Sequence, residues 1–371
     1  MNEKKVVLKK QKTTLDWWLL GSTILLVSIG LIAIYDASVV TAFRDFGDRF
    51  YYIKNQLAWA ALGFLTLVVL SFFDYHKILK FSNLIFAASV IMLVLVLIPV
   101  IGTQVLGARR WISIASFTFQ PSEFAKLATI FYVTSIMAKF EKYKIRIIDS
   151  FLVYFLPIFL ISALVVFEPD LGTSLMFFAL ALTIYFIGNA PIWHFLVTLP
   201  FLLIGAGLAI VKEPYRLERV RAFLDPFYDP QGASYQINQI IIAIASGGLL
   251  GVGLGGSRAK FEFIPEVHND AIFAVIVEEV GFVGGIALIA IFLFLIMRAA
   301  NVARDARDFE GRLLAAGLCA LVAIQILFNL ASNVALVPLT GVPLPFISYG
   351  GSSLFVTLAA IGILLNIRKQ S

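Results

Sequence analysis

The chain has 371 residues, of which 60% are hydrophobic and only 14% are charged. An ordinary soluble domain carries about 25% charged residues, so these proportions exclude a water-soluble single domain and predict an integral membrane protein. The formal net charge of +6 does not indicate nucleic acid binding, because the basic residues lie in short segments between apolar runs. The single cysteine, Cys319, excludes an intrachain disulfide and a cysteine-based metal site.

Ten apolar runs follow one another along the chain, most of them close to the roughly 20 residues that a helix needs to cross a bilayer. They cover residues 17–35, 57–73, 82–101, 121–138, 151–167, 171–188, 192–211, 271–297, 313–335 and 346–367. We therefore expect an all-α integral membrane protein with ten transmembrane helices, forming one polytopic membrane domain over residues 1–371.

The distribution of lysine and arginine predicts the orientation of this bundle. With the N-terminus inside, the inner segments hold 17 basic residues and the outer segments hold 11. By the positive-inside rule, the tails at 1–16 and 368–371 are both cytoplasmic. The chain is then expected to be a multi-pass protein in contact with membrane lipids.

One connection, at residues 212–270 between the seventh and eighth predicted helices, is much longer than the others and is expected on the outer face. Connections of this length in a compact protein are usually functional or disordered, and its composition argues against disorder. Within it, residues 237–254 are apolar but too short and too rich in glycine to cross the membrane. An interfacial or re-entrant helix is expected there.

The strongest local motif is residues 263–270, which run directly into the eighth apolar segment and carry Glu266, His268 and Asp270. One interpretation is that Asp270 or Asn269 only caps the following helix. The functional interpretation makes Asp270 a general base that accepts a proton from an attacking hydroxyl. Glu278 and Glu279 lie deeper on different sides of that helix, where charges usually form an internal polar network.

A second motif covers residues 107–112 and 119–126. Arg109 and Arg110 lie on a predicted outer loop against the inside-positive bias, and two guanidinium groups suit phosphate binding. Glu123 and Lys126 form an opposite-charge pair at i, i+3 within the membrane region. This pair either fixes helix packing as a buried ion pair or contacts substrate, and we assign both residues to predicted substrate binding.

Three further motifs lie in predicted outer segments. Residues 167–174 place Glu168 and Asp170 in a tight turn, where Asp170 either caps the next helix or takes part in function. Residues 215–221 are rich in arginine, and Arg216 and Arg219 suit an anionic headgroup or form a solvated helix face. Residues 342–353 combine proline, glycine and hydroxyl groups, which permit close helix approach; Ser348 in this motif joins Glu266 and His268 as a predicted substrate contact.

Taken in order, these motifs resemble the shape, elongation, division and sporulation (SEDS) family of bacterial membrane proteins, the FtsW, RodA and SpoVE type. The resemblance covers nearly the whole chain. It implies a peptidoglycan glycosyltransferase that polymerises lipid II outside the cytoplasmic membrane and releases undecaprenyl pyrophosphate, with the family's essential acid at Asp270. Residues 253–257 with Lys260 favour the division branch, whereas the compact length favours the elongation branch.

The resemblance also implies partners and a distribution of roles. A class B penicillin-binding protein is expected to act with the chain and to crosslink the new glycan. The cations expected to stabilise the pyrophosphate leaving group are Arg109, Arg110, Lys126, Arg216 and Arg219. No tightly bound cofactor is expected, although Mg²⁺ or Mn²⁺ held partly by substrate would suit a carboxylate beside two phosphates.

Two other functions compete with this one. A lipid II flippase would need polar groups spread through the membrane depth, whereas the acidic and basic candidates concentrate at the predicted outer end. A noncatalytic scaffold that recruits a synthase would not need Asp270. The absence of a Gly-x-x-x-x-Gly-Lys-Ser/Thr motif argues against an ATP-driven pump.

Overall fold

The computed structural model describes residues 15–371 except 106, 115–116, 142–144, 226–227, 230–231, 233, 261–263 and 265–266. A helix lies at each of the ten predicted runs, with additional short helices between them. The helices are α1 (Trp17–Phe46), α2 (Tyr51–Phe72), α3 (Tyr75–Lys80), α4 (Ser82–Leu97), α5 (Pro121–Phe140), α6 (Ile147–Asp149), α7 (Leu156–Phe167), α8 (Leu171–Ile187), α9 (Ile192–Val211), α10 (Pro214–Leu224), α11 (Tyr235–Ser246), α12 (Ile272–Asp305), α13 (Phe309–Asn333) and α14 (Gly351–Gln370).

Seven helices in the described part of the chain are long and apolar enough to cross a membrane. They are α1, α2, the continuous stretch Ile147–Phe167 that joins α6 to α7 through a π-helical turn, α9, α12, α13 and α14. Two shorter apolar helices, α4 and α8, have 16 and 17 residues. The fold is that of a multi-pass membrane protein.

Helix α14 lies at the centre of the bundle, because 83% of the residues in its apolar part are buried. Helix α9 lies at the periphery, where only 11% of the corresponding residues are buried. Glycines bring α2 and α14 close together. A Cβ at Gly362 would lie 2.7 Å from the carbonyl oxygen of Leu67, and one at Gly63 would lie 2.5 Å from the side chain of Leu358. Small residues therefore set the spacing of the central helix pair, as is common in membrane bundles.

The expectation of an all-α fold is wrong at one connection. Between α4 and α5 the chain forms a three-stranded antiparallel sheet of β1 (Gly102–Val105), β2 (Ala108–Ile114) and β3 (Phe117–Phe119), in the order β1-β2-β3. The hairpin closes tightly because Val105 pairs with Ala108 and Gly107 adopts a φ of 80°. Pairing within the sheet satisfies the backbone polar groups of a segment too short and too interrupted for another helix.

Helix α12 is broken at Gly281, whose φ is 72° and ψ is −175°. The segment 247–253, which follows α11, occupies the break: the amides of Val252 and Gly253 donate to the carbonyls of Glu278 and Glu279 at 3.0 and 3.1 Å. In return, the amide of Phe282 donates to the carbonyl of Gly248 at 2.9 Å. The predicted re-entrant segment therefore meets α12 about 10 Å beyond the first turn of that helix. Each of the two segments provides hydrogen-bond partners for backbone groups that the other leaves unpaired.

The two ends of the bundle are held differently. At the end where α2 leads into α3 and α12 into α13, the hydroxyl of Tyr75 donates to Asp308 at 2.5 Å, and His76 contacts the same carboxylate at 3.1 Å. His76, Asp308 and Glu310 place ligand atoms within 4.8 Å of one another. This end also holds the C-terminus of α14, through the ion pair of Arg368 with Asp305. The predicted functional residues lie at the opposite end.

Candidate functional site

Asp270 is half-buried in the turn that precedes α12. Its backbone carbonyl accepts two hydrogen bonds at 2.9 Å, from the side-chain amides of Asn329 and Asn333 on α13. Helix α12 takes Ala271, the residue after Asp270, as its N-cap residue. The capping and general-base interpretations of Asp270 both stay predictions, and its backbone is held in place by a neighbouring helix.

The turn between α7 and α8, residues 168–170, forms a second fixed point, which we call the acidic turn. Arg110 on β2 donates from Nε to the carbonyl of Glu168 at 2.8 Å and from Nη2 to the carbonyl of Pro169. Its Nη1 lies 3.9 Å from the carboxylate of Asp170. Asp170 also accepts from the amide of Thr173 at 2.9 Å and is the N-cap of α8, so its predicted capping role is confirmed.

Helix α10 binds the acidic turn from the other side. Arg216 is buried and donates to the carbonyls of Ala209 and Val166 at 2.8 and 2.9 Å, which joins the ends of α9 and α7. The hydroxyl of Tyr215 donates to the carbonyl of Pro169 at 2.9 Å. Arg219 is exposed, one helical turn further on, and donates to the carbonyl of Leu339 at 3.2 Å.

The residues 339–342, between α13 and α14, connect these groups, and we call them the linking segment. A Cβ at Gly172, next to the acidic turn, would lie 2.7 Å from the carbonyl of Thr340. A Cβ at Gly341 would lie 4.0 Å from Oδ2 of Asp270. Asp270, Arg219 and the turn that binds Arg110 therefore border a single stretch of backbone.

Glu168 is an unusual member of this cluster because its side chain is fully buried at 0% exposure. Neither carboxyl oxygen has a hydrogen-bond partner among the described residues. Burial raises the pKa of Glu168 to about 9, and the negative charge of Asp170 acts in the same direction while Arg110 opposes it. The carboxyl group is therefore protonated and neutral at neutral pH.

His268 lies directly before the Asp270 turn and is also buried. Its ring packs against Tyr52, with ring centroids 4.3 Å apart, and its carbonyl accepts from the amide of Tyr349 at 2.9 Å. Burial lowers the pKa of the imidazole to about 4. Neutral His268 thus packs between α2 and the start of α14, which leaves its predicted substrate contact untested.

The remaining predicted residues are placed as follows. The Ser348 hydroxyl accepts from the amide of Leu344 at 2.9 Å and stabilises the turn before α14. Glu123 and Lys126 form an ion pair of 2.7 Å, with exposures of 2% and 0%. Arg109 is half-buried beside Arg110 on β2, where alternate side chains point to opposite faces. Glu266 lies outside the described residues.

Glu278 and Glu279 form the internal polar network that the sequence indicated. The carboxylate of Glu278 accepts from the hydroxyl of Ser257 at 2.5 Å and from the amide of Arg258 at 3.1 Å. Glu279 pairs with Lys260 at 3.3 Å, and Lys260 also pairs with Asp36 on α1 at 3.1 Å. These contacts hold the segment after α11 against α12 below the Asp270 turn.

Two sets of residues were missed by the sequence analysis. Asn329 and Asn333 hold the Asp270 carbonyl, and their spacing of four residues in an otherwise apolar helix was a usable signal, because it places both amides on one face. Gln56 on α2 donates to the carbonyl of Ser348 at 3.4 Å and accepts from the amide of Gly350 at 3.2 Å. Gln56 follows Lys54 and Asn55 in the first turns of α2, and a polar residue at that place gives no indication of its partner.

The cluster combines the carboxylate of Asp270 with guanidinium groups that differ in how many of their donors are already used in hydrogen bonds within the protein. Arg110 and Arg216 are occupied by backbone carbonyls, whereas Arg219 is exposed and donates to a single carbonyl. A carboxylate beside cations suits proton abstraction coupled to the departure of an anionic group. The same donors suit phosphate oxygens.

Comparison with known proteins adds independent evidence. The model of the FtsW, RodA and SpoVE family, described as cell cycle protein, matches residues 16–371. The chain is 39% identical to stage V sporulation protein E of Bacillus subtilis (strain 168), over 97% of this chain and 99% of that protein. It is 40% identical to a probable peptidoglycan glycosyltransferase FtsW of Trichlorobacter lovleyi, over 95% and 92% of the two chains.

Solved structures are similar in fold over almost the whole length. A chain from work on the structural coordination of polymerization and crosslinking by a peptidoglycan synthase complex superposes with a TM-score of 0.78 at 28% identity, covering 96% of this chain and 98% of that one. The rod shape determining protein RodA of Thermus thermophilus superposes with a TM-score of 0.70 at 26% identity, covering 96% and 97%. The cluster around Asp270 therefore lies in a fold shared along the entire chain.

Proposed function

The chain belongs to the cell cycle protein family of FtsW, RodA and SpoVE, and we propose that it is a peptidoglycan glycosyltransferase that polymerises lipid II during cell division or elongation. The observation that carries the proposal is the linking segment. Its backbone brings the Asp270 carboxylate next to Arg219 and the acidic turn. The similarity to relatives named as glycosyltransferases supports the same activity.

In the proposed reaction, Asp270 accepts the proton of an acceptor 4-hydroxyl as that oxygen attacks the lipid-linked anomeric carbon. The new glycosidic bond forms while the bond from the anomeric carbon to the pyrophosphate oxygen breaks. The Asp270 backbone is fixed by two asparagine amides from α13. A base held in this way keeps its orientation toward the substrate.

The departing group is undecaprenyl pyrophosphate, and its negative charge needs cations. Arg219 and Arg109 are the arginines best placed to bind it, because one is exposed and the other half-buried. Arg110 holds the acidic turn and Arg216 holds the carbonyls of Val166 and Ala209, so both add positive charge from a fixed scaffold. A substrate role for Lys126 requires its ion pair with Glu123 to open.

A divalent cation, Mg²⁺ or Mn²⁺, would neutralise charge on the pyrophosphate when bound. Hard cations of this kind prefer oxygen ligands. Asp270, whose carboxylate lies beside the linking segment, is the carboxylate with which the protein would contact such an ion. The residues fit an ion held mainly by substrate phosphates.

The proposed topology has ten membrane spans, with α4, α5 and α8 added to the seven longer apolar helices. Both termini are cytoplasmic and the Asp270 end faces outward, because 17 basic residues lie in the inner segments and 11 in the outer ones. Residues 212–270 form the large outer loop that contains α10 and α11. This orientation places the proposed chemistry where the glycan is assembled.

A class B penicillin-binding protein is the proposed partner, since a transpeptidase must crosslink the strands that the chain makes. The similarity to a chain of a peptidoglycan synthase complex supports a complex of this kind. The flippase alternative is less well supported, because several buried charges are closed into pairs. Glu123 binds Lys126 at 2.7 Å and Glu279 binds Lys260 at 3.3 Å, which leaves them unsuited to line an open polar path.

Polymerisation of purified lipid II, with and without the cognate transpeptidase, tests the proposal. Asp270→Asn keeps the shape of the side chain and removes the base, so glycan synthesis should fall by about 10²-fold or more. Asp48→Asn is a matched control, because it changes an exposed carboxylate paired with Lys54 at the same end. Equal synthesis by wild type and Asp270→Asn would refute the role of Asp270. No synthesis by folded wild type bound to its partner would favour a flippase or a scaffold.

A further inference from the structure

An apolar groove of about 590 Å³ runs between the first part of α1 and the middle of α12, away from the site at Asp270. Trp17, Trp18 and Leu25 form one wall, and Ile291 and Phe294 form the other. Trp18 and Phe294 meet edge to face at the base, with ring centroids 6.1 Å apart. The groove is open along one side, so it faces the hydrocarbon of the membrane.

Small residues create the space. Gly21 on α1 lines the groove, and a Cβ built there has no atom within 4 Å. Ala290 leaves a matching gap on α12. The wall from Trp17 to Leu25 rises about 12 Å, close to the roughly 15 Å that one leaflet of hydrocarbon occupies. The groove thus has about the length of one acyl chain within a single leaflet.

The end of the groove nearest the N-terminus is polar. Arg298 lies one turn beyond Phe294 on the same face of α12 and pairs with Asp16 at 2.6 Å. Asp16 is also the N-cap of α1, because it accepts from the amide of Leu19 at 3.0 Å. The Nε of Arg298 is buried and has no hydrogen-bond partner among the described residues.

The sequence that leads into α1 is basic. The first 16 residues contain five lysines against the two acids Glu3 and Asp16. Basic residues next to a membrane helix attract anionic lipid headgroups. The groove ends beside the half-buried Arg298, and the sequence that leads into α1 is basic, so this end is complementary to an anionic phospholipid rather than to a zwitterionic one.

We propose that this groove binds one anionic phospholipid, with an acyl chain along Gly21 and Ala290 and its phosphate at Arg298. The proposed topology puts the headgroup in the cytoplasmic leaflet. The site is separate from the residues assigned to glycosyl transfer, so it can fail while the proposed function stands. It stabilises the contact between α1 and α12, which is the helix that follows Asp270.

Native mass spectrometry of the full chain tests this proposal, with phosphatidylglycerol or phosphatidylcholine added to the detergent-purified protein. We expect wild type to retain one phosphatidylglycerol at least tenfold more often than phosphatidylcholine. Gly21→Phe fills the groove and should abolish this retention. Gly205→Phe on α9 is the matched control, because a Cβ at Gly205 also has no atom within 4 Å, and it should retain the lipid as wild type does.

Two further measurements separate the parts of the proposal. Arg298→Gln should remove the preference for phosphatidylglycerol while the acyl chain still binds, and quenching of groove tryptophans by brominated chains should persist. Unchanged retention in Gly21→Phe, with a melting temperature equal to that of Gly205→Phe, would overturn the groove assignment. Equal retention of both lipids by wild type would overturn the headgroup assignment. Displacement of the lipid by the transpeptidase partner would assign the groove to a partner helix instead.

Discussion

Replacement of Glu168 by glutamine should make folding less dependent on pH. The Glu168 carboxyl is fully buried, without hydrogen-bond partners for its oxygens among the described residues, and burial raises its pKa to about 9. In the unfolded chain the pKa is near 4.5. Between these two values the folded state binds one proton more than the unfolded state, so wild-type stability falls as the pH rises.

The magnitude follows from the same two pKa values. Each pH unit above 4.5 contributes about 1.4 kcal/mol, so at pH 7 protonation of Glu168 costs wild type on the order of 3 kcal/mol in free energy of unfolding. Glu168→Gln removes this term. A neutral acid and an amide have nearly the same shape and each leaves a donor unpaired in this position, so the two proteins should be similarly stable at pH 5 and below.

The assay is reversible unfolding in mixed detergent micelles from pH 5 to pH 9. The difference in free energy of unfolding between Glu168→Gln and wild type should increase with pH, because contributions from other groups such as His268 cancel. Glu218→Gln, which changes an exposed carboxyl on α10, should run parallel to wild type within about 0.5 kcal/mol. A constant difference across the range, or a variant less stable than wild type at pH 8, would refute a buried neutral Glu168.

Three other substitutions test the packing around the site. Lys126→Met leaves the Glu123 charge buried and unpaired and should reduce the free energy of unfolding by about 3–5 kcal/mol. The double variant with Glu123→Gln should recover most of this free energy. Recovery of stability without glycan synthesis would support a substrate role for the pair. Gly172→Ala should slow lipid II polymerisation about tenfold by displacing the linking segment. Gly207→Ala is the control and should leave the rate unchanged, because a Cβ there has open space around it. Equal rates for the two variants would contradict the structural connection between Gly172 and Asp270 through the linking segment. Gly281→Ala forces a φ of 72° on an L-residue and should lower the melting temperature through about 1–3 kcal/mol of strain; wild-type thermal stability would contradict a fixed break in α12.

The sequence predicted the membrane helices well because hydrophobic length alone defines them. All ten runs contain helices, and the first turn of α5 begins at Pro121 as proline at a helix start suggests. The small sheet was missed because its strands are only three to seven residues long and lie in a connection without clear alternation. The break in α12 was missed because Gly281 is one of several glycines in an apolar run, and only its backbone partner distinguishes it.

The candidate site was predicted in part, and the limit has a physical cause. Asp270 and Arg110 belong to recognisable motifs, whereas their surroundings depend on long-range contacts. The motif showed that Arg110 is a cation beside the membrane, but its partners are the carbonyls of Glu168 and Pro169. Backbone acceptors carry no side-chain signature, so the sequence did not show that Arg110 holds a turn, and phosphate binding by Arg110 stays a prediction. The same limit applies to the carbonyls bound by Arg216.

The backbone ladder between the segment 247–253 and the break at Gly281 has a consequence for how the chain tolerates change. Its hydrogen bonds run between main-chain atoms, including those from Val252 and Gly253 to the carbonyls of Glu278 and Glu279. Side chains can therefore be exchanged without loss of the pairing only at positions that need neither glycine nor a buried carboxylate, such as Leu249, Leu250 and Val252. A single inserted or deleted residue in either segment would instead shift every bond out of register and free polar groups inside the membrane. The number of residues in each segment is therefore the constrained property, and the identity of a residue matters chiefly where glycine is required.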